Sequence, residues 1–212
     1  MGVRGPSPFN RIEMPEMKKN LLALAVLCAM TSGAAYAQQQ DGQWMVRARA
    51  VHLDSSNGGA AGAAGVSIND KWIPEVDVSY FFTPNFAAEL ILTYPQKHDV
   101  RLNGGKIGTL KHLPPTLLGQ YHFTGMGAFK PYVGAGVNYT RFSSVDIAGG
   151  ALTVKKNSWG PALQVGFDYA LDKNWSLNFD VKKVYIDTTV SGGIGKFKVD
   201  PVLVGLGVGY RF

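Results

Sequence analysis

From residue 43 to the carboxyl terminus, bulky apolar side chains recur at every second position, with polar, charged or small residues between them. A period of two belongs to β-strands whose two faces meet different surroundings. The pattern is clearest at the end, where Val202, Val204, Leu206, Val208, Tyr210 and Phe212 alternate with Gly205, Gly207, Gly209 and Arg211. Seven earlier segments repeat it. Residues 43–53 set Trp44, Val46, Ala48 and Ala50 against Arg47 and Arg49, and residues 75–83 set Val76, Val78, Tyr80 and Phe82 against Glu75, Asp77, Ser79 and Phe81. Residues 85–94 oppose Leu90 and Leu92 to Glu89 and Ile91, and residues 116–123 oppose Leu117 and Tyr121 to Leu118, Gln120 and His122. Residues 132–142 place Gly134, Gly136, Asn138 and Thr140, and by the same parity Phe142, on the polar side. Residues 159–169 place Gln164, Gly166 and Asp168 there, and residues 175–187 place Ser176, Asn178, Asp180, Lys182 and Ile186 there.

Alternation alone fits a soluble barrel or a membrane barrel. Two features choose the membrane. The polar face of the fifth and eighth segments is rich in glycine, which would leave a soluble hydrophobic core unfilled. Aromatic residues also gather at strand ends (Trp44, Tyr94, Tyr169, Trp175, Tyr210, Phe212), as they do at lipid interfaces. The connections alternate between short (83–85, 124–129, 171–174) and long (54–72, 95–115, 143–158, 188–201). The predicted fold class is therefore all-β: an eight-stranded antiparallel up-and-down transmembrane β-barrel, with four long extracellular loops and short periplasmic turns. After residue 37 no apolar run approaches the roughly 20 residues of a spanning helix, and a closed sheet is the other way to satisfy every backbone group in lipid.

The amino-terminal stretch changes the setting rather than the fold. Met17-Lys18-Lys19-Asn20 is a basic head, residues 21–30 are apolar, and Ala35-Tyr36-Ala37 is a small-x-small cleavage signature. Residues 1–37 are read as a signal-peptide region with the start at Met17 and cleavage after Ala37, leaving 38–212 as the barrel. The chain's one cysteine, Cys28, departs with the leader, so disulfides and thiolate metal sites are excluded from the exported part. The whole chain has 21 Lys and Arg against 15 Asp and Glu, and that mild excess in an exported protein gives no reason to expect nucleic acid. The expected location is the outer membrane of a Gram-negative cell, reached through the periplasm.

Charged residues at inward parity are Arg47, Arg49, Lys182 and Arg211 against Glu75, Asp77, Glu89, Asp168 and Asp180. Eight strands leave an interior that side chains just fill, so these charges are predicted to pair across the lumen and plug it, with low and brief conductance. Nonpolar residues at inward or loop-proximal positions are Phe81, Ile91, Leu118, Phe142 and Ile186 together with the Gly/Ala run 58–65; these are predicted to line a cavity near the outer rim that shelters a small apolar molecule. The run 55–65 is of low complexity and is expected to be mobile. Lys97, Arg101, Lys106, Lys111, Lys155, Lys156, Lys196 and Lys198 in the long loops would face lipopolysaccharide phosphates. The partners expected are thus the lipid bilayer, lipopolysaccharide, a small hydrophobic ligand, and the barrel-assembly machinery through the last strand ending in Phe212. His52, His98, His112 and His122 show neither metal-ligand spacing nor a serine two residues on, so no metal, no cofactor and no enzymatic activity are expected. Two rival readings are a structural or surface-recognition barrel with a plugged lumen and a lipid A-modifying enzyme.

Several stretches resemble the OmpW family of small outer-membrane barrels, in family order: 112–117 (HLPPTL), 130–140 (KPYVGAGVNYT), 158–160 (SWG) with 164–166 (QVG), 168–169 (DY), 186–189 (IDTT) and 209–212 (GYRF). The resemblance implies an eight-stranded barrel whose narrow, largely hydrophobic lumen takes up small apolar molecules from outside and releases them sideways into the membrane. It also implies a lumen constriction made by two bulky apolar side chains, which fall here on Ile91 and Lys182. Lysine departs from that pattern. A lumen lysine at 182 would pair with Asp180 or Glu89 and close the floor with charge instead.

Overall fold

The computed structural model describes residues 42–212; the leader and its cleavage after Ala37 lie outside the described residues. In chain order the elements are β1 (Trp44–Asp54), α1 (Gly59–Ala63), β2 (Val66–Ile68), β3 (Lys71–Phe81), β4 (Phe86–Leu92), β5 (Gln96–Leu102), β6 (Gly105–Leu113), β7 (Thr116–His122), β8 (Phe129–Ile147), β9 (Asn157–Ala170), β10 (Trp175–Val184), β11 (Asp187–Val190), β12 (Gly195–Lys198) and β13 (Val202–Arg211). Eight of them close a barrel in the order β1-β3-β4-β7-β8-β9-β10-β13, each antiparallel to its neighbours, and β13 returns to β1 from Met45–Arg211 up to Asp54–Val202. The chain ends join the same rim: Trp44 and Phe212 exchange two backbone hydrogen bonds of 3.1 and 2.9 Å. The three short turns lie at that rim too.

The wall is turned inside out relative to a soluble barrel. Leu206 is 59 % exposed and Leu163 52 %, whereas Arg47 and Asp180 are fully buried. Apolar groups therefore face the surroundings and charges face the lumen, which only a hydrocarbon exterior makes favourable. Aromatic contacts bound this apolar band. Near the short turns Trp44 meets Tyr80 (ring centroids 4.8 Å apart), Phe86 meets Tyr121 and Trp175 meets Tyr210. At the other border Tyr139 packs on Trp159 at 4.8 Å, with Trp72, Tyr94 and Tyr185 exposed at the same border. Beyond it the exposed outward side chains include Lys97 and Arg141, so the strands leave the band there.

The structure corrects the expected strand limits at the outer end. β3 starts at Lys71 rather than 75, and β8 runs on to Ile147 rather than stopping at 142. The long connections are themselves folded. β5 and β6 form a hairpin that pairs with the upper part of β8 on one side and with β2 on the other, while β11 and β12 make a separate hairpin. The Gly/Ala run expected to be mobile holds the short helix α1, whose Ala61 is fully buried against apolar neighbours. The physical reason is common to all three: inward apolar positions such as Val66, Val100, Leu110, Val190 and Phe197 bury one another above the membrane, and that burial stabilises segments whose local sequence reads as loop.

Candidate functional site

Along each strand the inward face changes character at one level. On β1, Arg47 and Arg49 are followed by Val51 and Leu53; on β3, read in the same direction, Asp77 and Glu75 give way to Ile73; on β10, Asp180 and Lys182 give way to Val184. The register puts these changes side by side: Arg49 opposes Glu75, and Val51 opposes Ile73. The lumen is thus a polar floor with an apolar chamber above it.

The floor is a network of ion pairs contributed by five strands, joined through a hydrogen bond by Tyr132 of a sixth, β8. Arg47 grips Asp168 with two bonds, from Nε at 3.0 Å and Nη2 at 2.7 Å, and its Nη1 donates to Ser79 Oγ at 2.9 Å and Asp77 at 3.2 Å. Arg49 donates to Asn178 at 2.6 Å, to Glu75 at 3.0 Å and to Glu89 at 3.1 Å, and its Nη1 lies 2.7 Å from Asp77. Lys182 Nζ donates to Asp180 at 2.6 Å and to Glu75 at 2.7 Å. Gln164 donates to both Glu89 and Asp180 at 2.8 Å, and the Tyr132 hydroxyl donates to Asp180 at 2.9 Å. Each charge is buried and each has a partner of opposite sign, which is the condition under which charges survive out of water.

Glycines make the space for the long side chains. A Cβ at Gly207 would stand 2.8 Å from Arg49 Cγ and 2.2 Å from the Ala48 carbonyl oxygen, and one at Gly166 would stand 2.5 Å from the Tyr132 hydroxyl. The glycine-rich inner face is filled by long side chains of the adjacent strands, Arg49 opposite Gly207 and Tyr132 opposite Gly166.

Above the floor lies a narrow cavity of about 20 Å³ between Ile91, Ile73, Leu53, Val184, Ile186 and Leu203, with Glu75 and Lys182 beneath and His112, Thr93, Thr116 and Asn138 at its upper side. Ile91 and Lys182 both line it. Further out, a second cavity of about 40 Å³ has Val66, Val100, Leu102, Ile107, Leu110, Ile147, Leu152, Val154, Val190, Ile194 and Phe197 in its walls, with Thr188 the one polar residue among them. Leu110 lines the outer cavity and His112, two residues on along the same inward face of β6, lines the inner one. The wall is incomplete at this height. β3 stays paired with β1 up to Lys71 but pairs with β4 only from Val76 inward. Pro74 and Pro95, which lack an N–H, flank the gap, and Thr93 Oγ1 reaches across it to the Pro74 carbonyl at 3.0 Å.

Among the residues singled out from sequence, Arg47, Arg49, Glu75, Asp77, Glu89, Asp168, Asp180 and Lys182 meet in the floor, and Leu118, Phe142 and Ile186 join Ile91 in the apolar cluster above it. Phe81 requires correction: it points inward, but at the short-turn end, beside Met45 and Ala87, because β3 descends from Lys71 to Phe81. Its ring carries the Arg211 guanidinium 3.9 Å from its centroid, and Arg211 Nε donates to the Gly42 carbonyl at 2.6 Å, so Arg211 too belongs to the short-turn mouth. The Lys182 partners are Asp180 and Glu75, where Asp180 or Glu89 was expected. Tyr132, Gln164 and Asn178 are full members of the floor. Gln164 and Asn178 carry the inward-parity signal; Tyr132 is masked by its place at the foot of a strand, where an aromatic reads as a girdle residue. The chamber residues Val51, Leu53, Ile73, Val184 and Leu203 continue the parity of the charged positions and are found by extending it upward. The loop lysines stand at the outer end, where Lys106 pairs with Asp99 and Lys196 with Asp187, each at 2.7 Å. Among the described residues no cluster of three or more His, Cys, Asp or Glu could hold a metal ion.

The OmpW family profile matches residues 40–212. The chain is 47 % identical over 182 residues to the outer-membrane protein y4mB of Sinorhizobium fredii, covering 80 % of each chain. It is 34 % identical over 213 residues to outer membrane protein W of Escherichia coli, covering 92 % of this chain and all of that one. The crystal structure of the outer membrane protein OprG from Pseudomonas aeruginosa superposes with a TM-score of 0.69 at 31 % identity, over 82 % of this chain and 97 % of that one.

Proposed function

This chain belongs to the OmpW family and is an outer-membrane β-barrel, and from that premise we propose that it takes up small hydrophobic molecules from the cell exterior and delivers them sideways into the membrane. The observation that carries the reading is the division of the lumen: apolar cavities stacked above a floor with no unpaired charge. A water-filled route to the periplasm would have to break at least one arginine–carboxylate pair, and eight strands leave no spare diameter beside them. A small apolar molecule in the outer cavity meets side chains of its own kind, and the barrier ahead of it is the charged floor. The gap between β3 and β5 near Thr93, level with the outer edge of the apolar band, is the way out toward lipid. Release there does not require the floor to open.

The loop lysines fit a second contact, with lipopolysaccharide phosphates around the outer rim, and the terminal strand ending in Phe212 is the segment offered to the barrel-assembly machinery. The leader over residues 1–37, removed after Ala37, is the route to the periplasm that such a protein needs.

Ile91 tests the uptake reading. The variant Ile91→Arg places a cation in the inner cavity, above Lys182, without touching the lipid face. In cells expressing it, uptake of a fluorescent naphthalene-type probe is expected to fall several-fold relative to the parent protein, while heat-modifiable migration on gels still reports a folded barrel. Equal uptake by the two would overturn the assignment of the cavity as the path.

A further inference from the structure

A pair of histidines stands at the upper side of the inner cavity, which His112 lines, next to Leu110 of the outer one along the same face of β6. His98 on β5 and His112 on β6 stack face to face, with ring centroids 4.6 Å apart and planes within 10°. Both are buried, at 0 % and 1 % exposure, and Phe142 packs edge-on to His112 at 6.3 Å. The polar atoms of the pair are nevertheless largely unsatisfied. His98 Nδ1 lies 3.0 Å from the Asn69 carbonyl oxygen. A carbonyl only accepts, so Nδ1 carries the proton and Nε2 is left as a bare acceptor. His98 Nε2, both ring nitrogens of His112, and the Oε1 of Gln96, which opposes His112 in the β5–β6 ladder, have no hydrogen-bond partner. Four buried polar atoms without partners at one level are rare in a folded protein, where the cost is about 1–3 kcal/mol each.

Resting on the uptake reading above, we propose that the His98–His112 stack is a recognition site for the hydroxyl head of an otherwise apolar ligand, an alcohol or a phenol, whose hydrocarbon body occupies the adjoining apolar cavities. The chemistry of the unpartnered atoms selects the head. His98 Nε2 and Gln96 Oε1 are acceptors, so the ligand has to donate; a neutral His112 offers one acceptor and one donor, which a hydroxyl answers with its own proton and lone pair. A carboxylate supplies no proton. An ammonium supplies protons but brings a positive charge toward Lys71, which already acts on both rings and helps to depress their proton affinity. Burial is the larger cause of that depression and holds His112 down to about 3, so the ring stays neutral and able to accept. A bare hydrocarbon leaves all four atoms unsatisfied.

The test compares 1-naphthol with 1-methylnaphthalene, alike in shape and differing in the donor. Binding is measured by equilibrium dialysis against nanodiscs carrying the full barrel, with protein-free nanodiscs of the same lipid subtracted to remove partition into the bilayer. The expected result is a preference for 1-naphthol of about tenfold, the worth of one buried hydrogen bond. In His112→Phe and in His98→Phe the ratio of the two dissociation constants should collapse toward one, and in His112→Gln, which keeps an acceptor in place, part of the preference should return. If the parent barrel binds both compounds equally, the nitrogens are satisfied by water and the inference is overturned, while the uptake reading stands. A preference that survives both phenylalanine variants overturns it too, by placing the hydroxyl elsewhere. If neither compound binds above the lipid blank, the uptake reading itself fails and takes this inference with it.

Discussion

The lower and upper halves of this lumen are built on the same strands with the same parity, and they are stabilised in opposite ways. Below Val51, inward side chains are held by directional bonds: Arg47 to Asp168, Arg49 to Glu75, Lys182 to Asp180. Above it, Leu53, Ile73, Ile91, Leu118, Phe142 and Ile186 form an apolar cluster with no direction at all. The difference matters for what each half can do. A charge network has one satisfied arrangement, because displacing any member leaves another ion buried without a partner. An apolar cluster tolerates rearrangement and expansion at a cost that scales with the surface exposed. The floor is thereby suited to staying shut and the chamber to making room.

The sharpest way to break this comparison is to truncate one residue in each half. Arg47→Leu leaves Asp168, Asp77 and Glu89 short of a cation, and the barrel is expected to lose about 3–5 kcal/mol of stability, read as a lower urea midpoint for unfolding from lipid vesicles. Leu53→Ala, at 1 % exposure, removes packing alone; it is expected to cost about 2–3 kcal/mol and to enlarge the inner cavity. If Arg47→Leu proved no more damaging than Leu53→Ala, the floor would be a collection of separate pairs and not a network.

How far this division could be read from sequence follows the same line. The barrel, its inside-out polarity and the charged inner face rest on period-two alternation, a local signal repeated eight times, and the lipid exterior makes it unusually strict because every outward position must be apolar. Arg47, Asp168 and Asp180 declare themselves by standing on the wrong side of otherwise apolar strands. The chamber does not, because an inward Leu203 between the outward Val202 and Val204, or an inward Val51 beside the outward Ala50, erases the alternation: where both faces are apolar, parity is invisible. The folded outer connections were illegible for a different reason. Val100, Leu110 and Phe197 are scattered among Gly, Lys and Asn, and they become a core only when β5, β6 and β12 arrive at one place through contacts remote in sequence. The same blindness hid the histidines, which lie fourteen positions apart in the chain but stack because of the hairpin between them.

Acid separates the two halves more gently. The His112 ring, pushed down to about 3 by burial next to His98, binds its proton far less readily in the folded barrel than in the unfolded chain, where the ordinary value is about 6.5. Between those values the unfolded chain holds more protons, so stability is greatest above pH 6.5 and falls as pH is lowered toward 3. From this ring alone the loss on moving from pH 7.5 to pH 5 is about 2 kcal/mol, in a window where most ordinary carboxylates remain ionised. The measurement is the shift of the urea midpoint between those two pH values in the parent and in His112→Phe. The variant is expected to shift less, and equal shifts would show that the ring is hydrated in the folded protein and not held in an apolar chamber.

The smallest effect belongs to the outermost charges, and its smallness is itself informative. Lys196 and Asp187 pair at 2.7 Å across the β11–β12 hairpin, but both side chains are about half exposed, at 53 % and 45 %. In water such a pair gains little over its separate hydration and is screened by salt. The hairpin is held instead by Phe197 and Val190, which turn inward and are buried at 2 % and 6 % exposure, and by the backbone ladder from Asp187–Lys198 to Val190–Gly195. Lys196→Ala is therefore expected to leave the unfolding midpoint and the uptake of an apolar probe unchanged within error, at low salt and at high salt alike. A clear fall at low salt that vanishes at high salt would mean that charge fastens the hairpin over the outer cavity. The upper half would then share the floor's mode of construction, and ionic strength would control access to it.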